Sequence, residues 1–123
     1  MAESAKKWEE IARDYRRYIR FEKHLAENSV EAYMRDLKEF AHFIMRTYDV
    51  APHRVESHMI ERFMAWLYDR GRSRSSQARR LSGVKSFYTF LLLGDRIDHL
   101  PTEFVEAPRA GRALPDTLTT DEI

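Results

Sequence analysis

Cysteine is absent from the 123 residues of this chain, and glycine and proline number only four each. Without cysteine there is no disulfide, no thiolate nucleophile and no zinc–thiolate site. No run of apolar residues approaches the roughly 20 that a membrane-spanning helix needs, and the first ten residues lack the apolar centre of a signal peptide. We therefore expect a cytoplasmic protein that does not enter a membrane.

Recognisable catalytic and metal-binding patterns are also lacking. No glycine-rich loop could cradle a phosphate, and the serines near Arg74 have no obvious histidine and aspartate partners. Metal-ligand spacing of the H-E-x-x-H kind does not occur among the histidines, which are His24, His42, His53, His58 and His99. We expect the chain to bind no metal or cofactor and not to act as an enzyme by itself.

The apolar residues that are present recur at the spacing of α-helices, and no segment alternates with the period of a β-strand. At 43% hydrophobic and 12% aromatic, the chain can bury a core of its own. The pattern predicts an all-α domain of four principal helices. The first covers residues 6–25, and the second runs to about Thr47. The third opens at Glu56 or Ser57, and the fourth ends at Gly94.

Helix-end signals support these boundaries. Asn28 followed three residues later by Glu31 has the form of a capping box for the second helix. Gly71 stands where glycine commonly ends a helix, and Ser73 stands as the cap of the fourth helix.

Beyond Gly94 the pattern changes. A short fifth helix is predicted over residues 102–106, after Pro101. Proline, glycine and two arginines then predict a linker over residues 108–123, whose last residues resemble the start of another helix. We therefore divide the chain into a helical domain, residues 1–107, and a linker that leads into a further domain beyond the sequence.

One stretch concentrates positive charge. Residues 70–94 contain six of the 21 basic residues and none of the 20 acidic ones, although the whole chain has a net charge of only +1. On a helical wheel, Ala78, Leu81, Val84, Tyr88 and Leu91 form an inward stripe. The opposite face has Ser75, Arg79, Ser82, Gly83 and Ser86, with Arg80 and Lys85 on the flanks.

Short side chains between arginines suit a helix that approaches a polyanion closely, and a major groove about 12 Å wide admits a helix. Solvated helix faces usually mix charges of both signs, so we interpret this face as a contact with double-stranded DNA. The alternative is a helical protein-interaction module that uses the basic face for an acidic partner. The second helix offers a weaker contact, with Asn28 and Ser29 at its N-terminus and Arg35 and Lys38 on its outer side, and we assign Tyr33 to the core.

Three motifs resemble those of tyrosine recombinases, the family of Xer-type recombinases and phage integrases. The stretch ENSVEAYMRDLKEF is similar to the family's S-E-N-T-x-x-x-Y-x-R-D-L-x-x-F signature, and SRSSQARRLSGVKSFYTFLL is similar to its S-x-x-S-x-x-R-x-L-S-A-L-R-S-F-Y-x-F-L pattern. The tail, PTEFVEAPRAGRALPDTLTTDEI, resembles the family's interdomain linker. Gly83 stands where alanine is common in the family.

The resemblance implies a SAM-like core-binding domain, an orthogonal bundle of four to five helices with a C-terminal linker. In that family this domain and a catalytic domain clamp duplex DNA, and the second and fourth helices cross the major groove. Carried over by position, the implied DNA-binding residues are Ser29, Arg35, Arg72, Arg74, Ser75, Arg79, Arg80, Ser82, Lys85, Arg109 and Arg112.

The resemblance also implies what this chain does not carry. The family's tyrosine nucleophile and its assisting residues belong to the catalytic domain, which would begin near Leu118, and no tyrosine here matches the nucleophile. We expect a monomeric DNA-binding part that meets sister protomers only in the full-length synaptic complex. A short protein that occupies recombination sites without cutting is a further alternative. Chromosome-dimer resolution, phage integration and transposition all use this domain, so the motifs do not choose between them.

Overall fold

The structure, a computed structural model, describes residues 2–106. Helix α1 spans Ala2–Arg17 and continues directly into a π-helical turn, Tyr18–Glu22. Helix α2 spans Glu27–Thr47, and a short 3₁₀ turn, Pro52–Arg54, leads to α3, Ser57–Asp69. Helix α4 spans Arg74–Leu93, and residues 2–106 contain no β-strand. The prediction of an all-α domain with four principal helices is therefore confirmed for this part of the chain.

The core is a cluster of aromatic rings that joins all four helices. Phe40 of α2 is fully buried at its centre. Its ring meets those of Trp8, Phe63 and Tyr88, from the other three helices, at centroid distances of 5.9, 5.0 and 6.3 Å. Because every helix contributes to one cluster, none can be removed without exposing the ring at the centre.

Two hydrogen bonds fasten the loop between α2 and α3 to this core. The Trp8 indole nitrogen donates to the Val50 carbonyl at 2.9 Å, and the Tyr88 hydroxyl donates to the Pro52 carbonyl at 2.9 Å. Both carbonyls belong to the connection between α2 and α3, so the aromatic side chains of α1 and α4 bind this connection directly, and the Pro52 carbonyl also accepts from the Val55 amide at 3.4 Å. The loop is held against α1 and α4 as a result.

Both ends of the connection between α3 and α4 follow the sequence signals. Gly71 adopts φ +79°, and the amide of Arg72 donates to the Leu67 carbonyl at 3.2 Å, which closes α3 in the manner of a glycine-terminated helix. The Ser73 hydroxyl then accepts from the Ser76 amide at 3.1 Å and caps α4. This tight connection fixes where the basic helix begins.

Two local predictions are wrong. Helix α2 begins at Glu27 with Ala26 as its N-cap and no side-chain cap, so Asn28 and Glu31 form no capping box. Residues 102–106 form no helix: residues 101–104 form a turn, in which the Glu103 amide donates to the Leu100 carbonyl, and residues 105 and 106 have no regular secondary structure. The Thr102 and Val105 side chains are both only 3% exposed. Their burial holds this segment against the bundle and determines its conformation. The linker predicted over residues 108–123, with Arg109 and Arg112, lies outside the described residues.

Gly83 offers a test of local energetics within α4. A methyl group placed on its Cα would meet no atom within 4 Å, and its backbone is helical. We expect Gly83→Ala to raise the free energy of unfolding by about 1 kcal/mol, because alanine loses less backbone freedom in a helix. Urea denaturation measures this difference.

The matched control is Gly71→Ala, which also has open space around the added methyl group but a positive φ. It should lower the free energy of unfolding by about 1 kcal/mol. A destabilising Gly83→Ala, or a neutral Gly71→Ala, would contradict this description of the two glycines.

Candidate nucleic-acid interface

The solvent-facing side of α4 is defined by the residues that the structure leaves exposed along its first three turns. They are Arg74, Ser75, Ala78, Arg79, Ser82 and Lys85, and we call this set the α4 face. It alternates two arginines and a lysine with side chains no larger than serine. The prediction that this helix exposes cations between short side chains is therefore confirmed, although the set of exposed residues differs.

The face is turned relative to the wheel drawn from the sequence. Ala78, predicted to point inward, is exposed, whereas Gly83 and Ser86 are half-buried. The reason is Phe87, a fully buried residue outside the predicted stripe, whose ring stacks on Trp8 at 5.9 Å. Packing against α1 draws this side of α4 into the core and exposes the Ala78 side.

Tyr15 of α1, which packs on α4, and Tyr88 of α4 itself are buried and protonated. The Tyr15 hydroxyl donates to the Ser86 hydroxyl at 3.0 Å, and burial raises the pKa of Tyr15 to about 12. Burial also raises the pKa of Tyr88 well above its usual value. Neither phenol can supply a phenolate near neutral pH, and both side chains hold helices together.

Acidic residues of α2 meet three of the arginines in residues 70–94. Glu39 accepts from Arg72 at 2.6 Å and from Arg80 at 2.7 Å, and its side chain is 20% exposed. Asp36, 8% exposed, accepts from Arg79 at 3.3 Å. Residues 70–94 therefore contain no acidic residue, but two acidic residues of α2 lie beside them in the folded chain.

Sequence reasoning missed Asp36 and Glu39, although one signal was available. Asp36 precedes the buried Leu37 and lies four residues before Phe40, at the edge of the buried stripe of α2. A carboxylate in that position needs a buried cationic partner. Such a pattern predicts an arginine on a neighbouring helix.

The remaining basic residues of the window differ in their surroundings. In the described part of the chain, Arg74 and Lys85 form no ion pair and are exposed. The Arg70 guanidinium lies over the Trp66 ring at 4.9 Å from its centroid. Two cations of the α4 face are therefore free for a ligand, and Arg79 is partly so.

The predicted positions on α2 are only partly brought to the surface. Arg35 and Lys38 are exposed, but Ser29 is half-buried. Tyr33, assigned to the core from its spacing, is 37% exposed, so that assignment is wrong. Helix α2 packs its stripe through Val30, Leu37 and Phe40, which leaves Tyr33 at the margin.

Titration of Glu39 gives the interface a pH dependence. Burial by itself raises the pKa of Glu39, but hydrogen bonds and charge from Arg80 and Arg72 outweigh it, so the pKa lies below its ordinary value. A lowered carboxyl pKa stabilises the fold above the unfolded-state pKa of about 4.3. That stabilisation is lost as the pH falls through the lower, folded-state pKa.

We expect Glu39→Gln to lower the free energy of unfolding at neutral pH and to do so less as the pH falls below about 4. Chemical denaturation of both proteins across this range measures the difference. The control is Glu103→Gln, an exposed glutamate on the turn after α4. A stability difference for Glu39→Gln that stays constant down to low pH would contradict the assignment.

All five histidines are exposed. Within residues 2–106, no group of three histidine, aspartate or glutamate side chains could hold a metal ion. His53, His58 and His99 line one shallow surface depression beside the start of α3, but they do not converge on a common point. No helix among the described residues is long and apolar enough to cross a membrane.

Comparison with known families identifies the domain. Residues 12–93 match the model of the phage integrase N-terminal SAM-like domain, and this match covers the region from mid-α1 to the end of α4. The chain belongs to this family. The resemblance drawn from the three motifs is thereby confirmed, and so is the SAM-like fold class.

Curated relatives of the SAM-like domain agree with this result. The chain is 31% identical over 115 residues to a protein named tyrosine recombinase XerD of Staphylococcus aureus, a match covering 94% of this chain and 39% of that protein. It is 33% identical over 113 residues to the protein of the same name from Staphylococcus saprophyticus, covering 92% and 38%. The chain thus spans about two fifths of these relatives. No solved structure matches it.

Proposed function

We propose that this SAM-like domain is the part of a tyrosine recombinase that grips double-stranded DNA, with α4 along a major groove. The observation that carries the proposal is the α4 face, on which Arg74, Arg79 and Lys85 project between short side chains. Residues 70–94 contain no acidic residue. A polyanion can therefore approach the exposed side of α4 without meeting an acidic residue of that helix, and the side chains between its cations are short.

The dimensions and chemistry of α4 fit this role. Twenty residues of α-helix measure about 30 Å, enough to lie across a groove and reach phosphates on both of its sides. Arginine binds a phosphate through two parallel hydrogen bonds. The first turn of α4 adds free amide groups and the positive end of the helix dipole beside Arg74.

The predicted DNA contacts fall into two groups by their present partners. Arg74, Arg79, Lys85, Ser75 and Ser82 lie on the α4 face, and we propose that they contact phosphates or groove edges directly. The contacts predicted for Arg72 and Arg80 stay predictions, because both guanidinium groups bind Glu39 and hold α4 on α2 in the free chain. Ser29, Arg35, Arg109 and Arg112 remain proposed contacts on the strength of the family motifs.

In the whole recombinase, we propose that this domain and a catalytic domain clamp one recognition arm of the DNA. Cleavage and strand exchange, in integration, recombination or chromosome-dimer resolution, would then fall to the catalytic domain and to sister protomers in a synaptic complex. The same proposal makes the isolated domain a monomer, since its described core is complete in one chain.

A salt titration tests DNA binding by this chain. The affinity for a duplex of arbitrary sequence should fall linearly on a log–log plot against salt concentration, with a slope of about −0.9 for each phosphate contacted. Fluorescence anisotropy with a labelled duplex measures the slope. In a competition experiment, an acidic protein with a net negative charge similar to that of the duplex serves as the competitor. Duplex binding that is absent at low salt, or displaced equally well by the acidic protein, would contradict the proposal.

A further inference from the structure

We infer that Asp36 is a positioning residue that competes with DNA phosphates for Arg79 and so lowers the affinity of this domain for duplex DNA of arbitrary sequence. The inference rests on the proposed function. It concerns a buried carboxylate of α2 that lies behind a half-exposed guanidinium of the α4 face.

Burial differs sharply between the two partners. The Asp36 side chain is 8% exposed, whereas the Arg79 side chain is 55% exposed. Arg79 Nη2 donates to Asp36 Oδ1 at 3.3 Å, which is longer than the 2.7–2.9 Å common for charged pairs. The carboxylate therefore binds one edge of the guanidinium loosely, and the other donors of Arg79 remain in solvent.

If Arg79 moves from Asp36 to a phosphate, the nearest other cation is poorly placed to replace it. The nearest other cation is Arg80, whose Nη1 lies 3.8 Å from the same carboxylate oxygen. Arg80 already donates to Glu39 at 2.7 Å and to the Ser76 hydroxyl at 3.1 Å. A buried carboxylate that loses its partner is destabilised. A phosphate that takes Arg79 must therefore exceed the attraction of Asp36.

Glu39, on the same helix, binds its arginine partners more tightly than Asp36 binds Arg79. It holds Arg72 and Arg80 at 2.6 and 2.7 Å, and both arginine side chains are at least 70% buried, at 28% and 13% exposure. Those two short contacts fasten α4 to α2. Within residues 2–106, only the Asp36–Arg79 pair joins a buried acid to a residue that also belongs to the α4 face.

Because Arg79 must leave Asp36 to bind DNA, it contributes most where its new partner offers more than a contact with a single phosphate. Against an arbitrary duplex, one phosphate contact is offset by the loss of the Asp36 contact. At a site where the groove offers Arg79 a bidentate partner, the gain is larger and the exchange proceeds. The loss of the Asp36 contact is the same at both kinds of site, so Asp36 lowers the affinity for each, and Arg79 makes a net contribution only where its new partner outweighs Asp36.

The test is a double-mutant cycle on the whole chain with a labelled duplex of arbitrary sequence at low salt. Asp36→Asn keeps the shape of the side chain and a hydrogen-bond acceptor but removes the charge. We expect it to tighten binding about two- to fivefold, the range for a half-exposed ion pair. In the Arg79→Ala background the same substitution should give no tightening, because the residue it releases is missing.

Glu31→Gln is the matched control for net charge. Glu31 also lies on α2, but it pairs with Arg16 of α1 at 2.6 Å and touches no residue of the α4 face. A residue with a purely structural role would weaken binding or leave it unchanged when replaced. Tightening that appears equally in Glu31→Gln, or that persists without Arg79, overturns the inference.

Two further measurements keep the result decisive. If Asp36→Asn is unfolded by circular dichroism, Asp36→Ser takes its place in the cycle. In the wild-type chain, the carboxyl carbon resonance of Asp36 should shift on saturation with duplex as Arg79 leaves it, and an unchanged resonance overturns the inference. A wild-type chain that binds no duplex overturns the proposed function as well. Binding without the Arg79-dependent gain overturns the role of Asp36 alone.

Discussion

Replacing Arg74, Arg79 and Lys85 together with alanine should weaken duplex binding by roughly 100-fold, at about 1 kcal/mol for each exposed contact between a cation and a phosphate. It should also reduce the salt slope by about 3, one for each phosphate contact removed. All three side chains are exposed on α4, and two of them have no ion pair within residues 2–106. Arg74 and Lys85 support no ion pair in the described part of the fold, and circular dichroism checks that the variant is folded, because removing Arg79 takes the partner from the buried Asp36. With folding intact, the change in affinity reports the interface.

The control for this experiment is the triple alanine variant of Lys6, Lys7 and Arg13. These residues are exposed on α1, and their loss changes the net charge by the same amount. We expect a small effect from them, because long-range charge alone is screened within about 10 Å at 0.1 M salt. Equal weakening by both triple variants would show that net charge, and not the α4 face, determines binding.

Phe40→Ala should lower the free energy of unfolding by about 3–5 kcal/mol, the usual cost of deleting a fully buried phenylalanine side chain. Phe40 is 0% exposed, and its ring contacts rings from the three other helices. No single neighbour can move in to fill a cavity that all four helices share. A loss of this size is a large part of the 5–15 kcal/mol that typically stabilises a domain.

Thermal unfolding followed by circular dichroism measures the effect of Phe40→Ala, with an expected drop in Tm of about 15 °C or more. Phe21→Ala is the matched control. Phe21 follows α1 in the π-helical turn and is 65% exposed, so its removal should change the free energy of unfolding by no more than about 0.5 kcal/mol. A Phe40→Ala variant as stable as Phe21→Ala would contradict the single shared core.

Local sequence signals predicted helix ends correctly where a residue type has a single structural role at such a position. Gly71 takes the positive φ that ends α3, and the Ser73 hydroxyl caps α4, both as predicted. The long apolar repeats likewise located four helices, because each stripe needs a partner to be buried. The prediction for Asn28 fails because α2 has its N-cap at Ala26, two residues earlier, so Asn28 already lies within the helix and its side chain does not cap it.

Tertiary partners account for what the sequence could not predict. Ala78 is exposed and Phe87, which was not in the predicted stripe, is buried, because Trp8 and Tyr15 of α1 pack on Phe87, a contact between residues far apart in the chain. Asp36 and Glu39 meet the arginines of α4 for the same reason. A stretch that lacks acids along the chain can thus be partly neutralised across the bundle, and three of its six cations, Arg70, Arg74 and Lys85, form no ion pair among the described residues.

The most direct test of the central claim is a titration of the isotope-labelled chain with duplex DNA, followed by amide resonances in NMR. The largest shifts are expected in the first three turns of α4, at Arg74, Ser75, Arg79, Ser82 and Lys85, with a second group near the start of α2. Shifts concentrated on the exposed sides of α1 or α3, with the amides of α4 unchanged, would contradict the account.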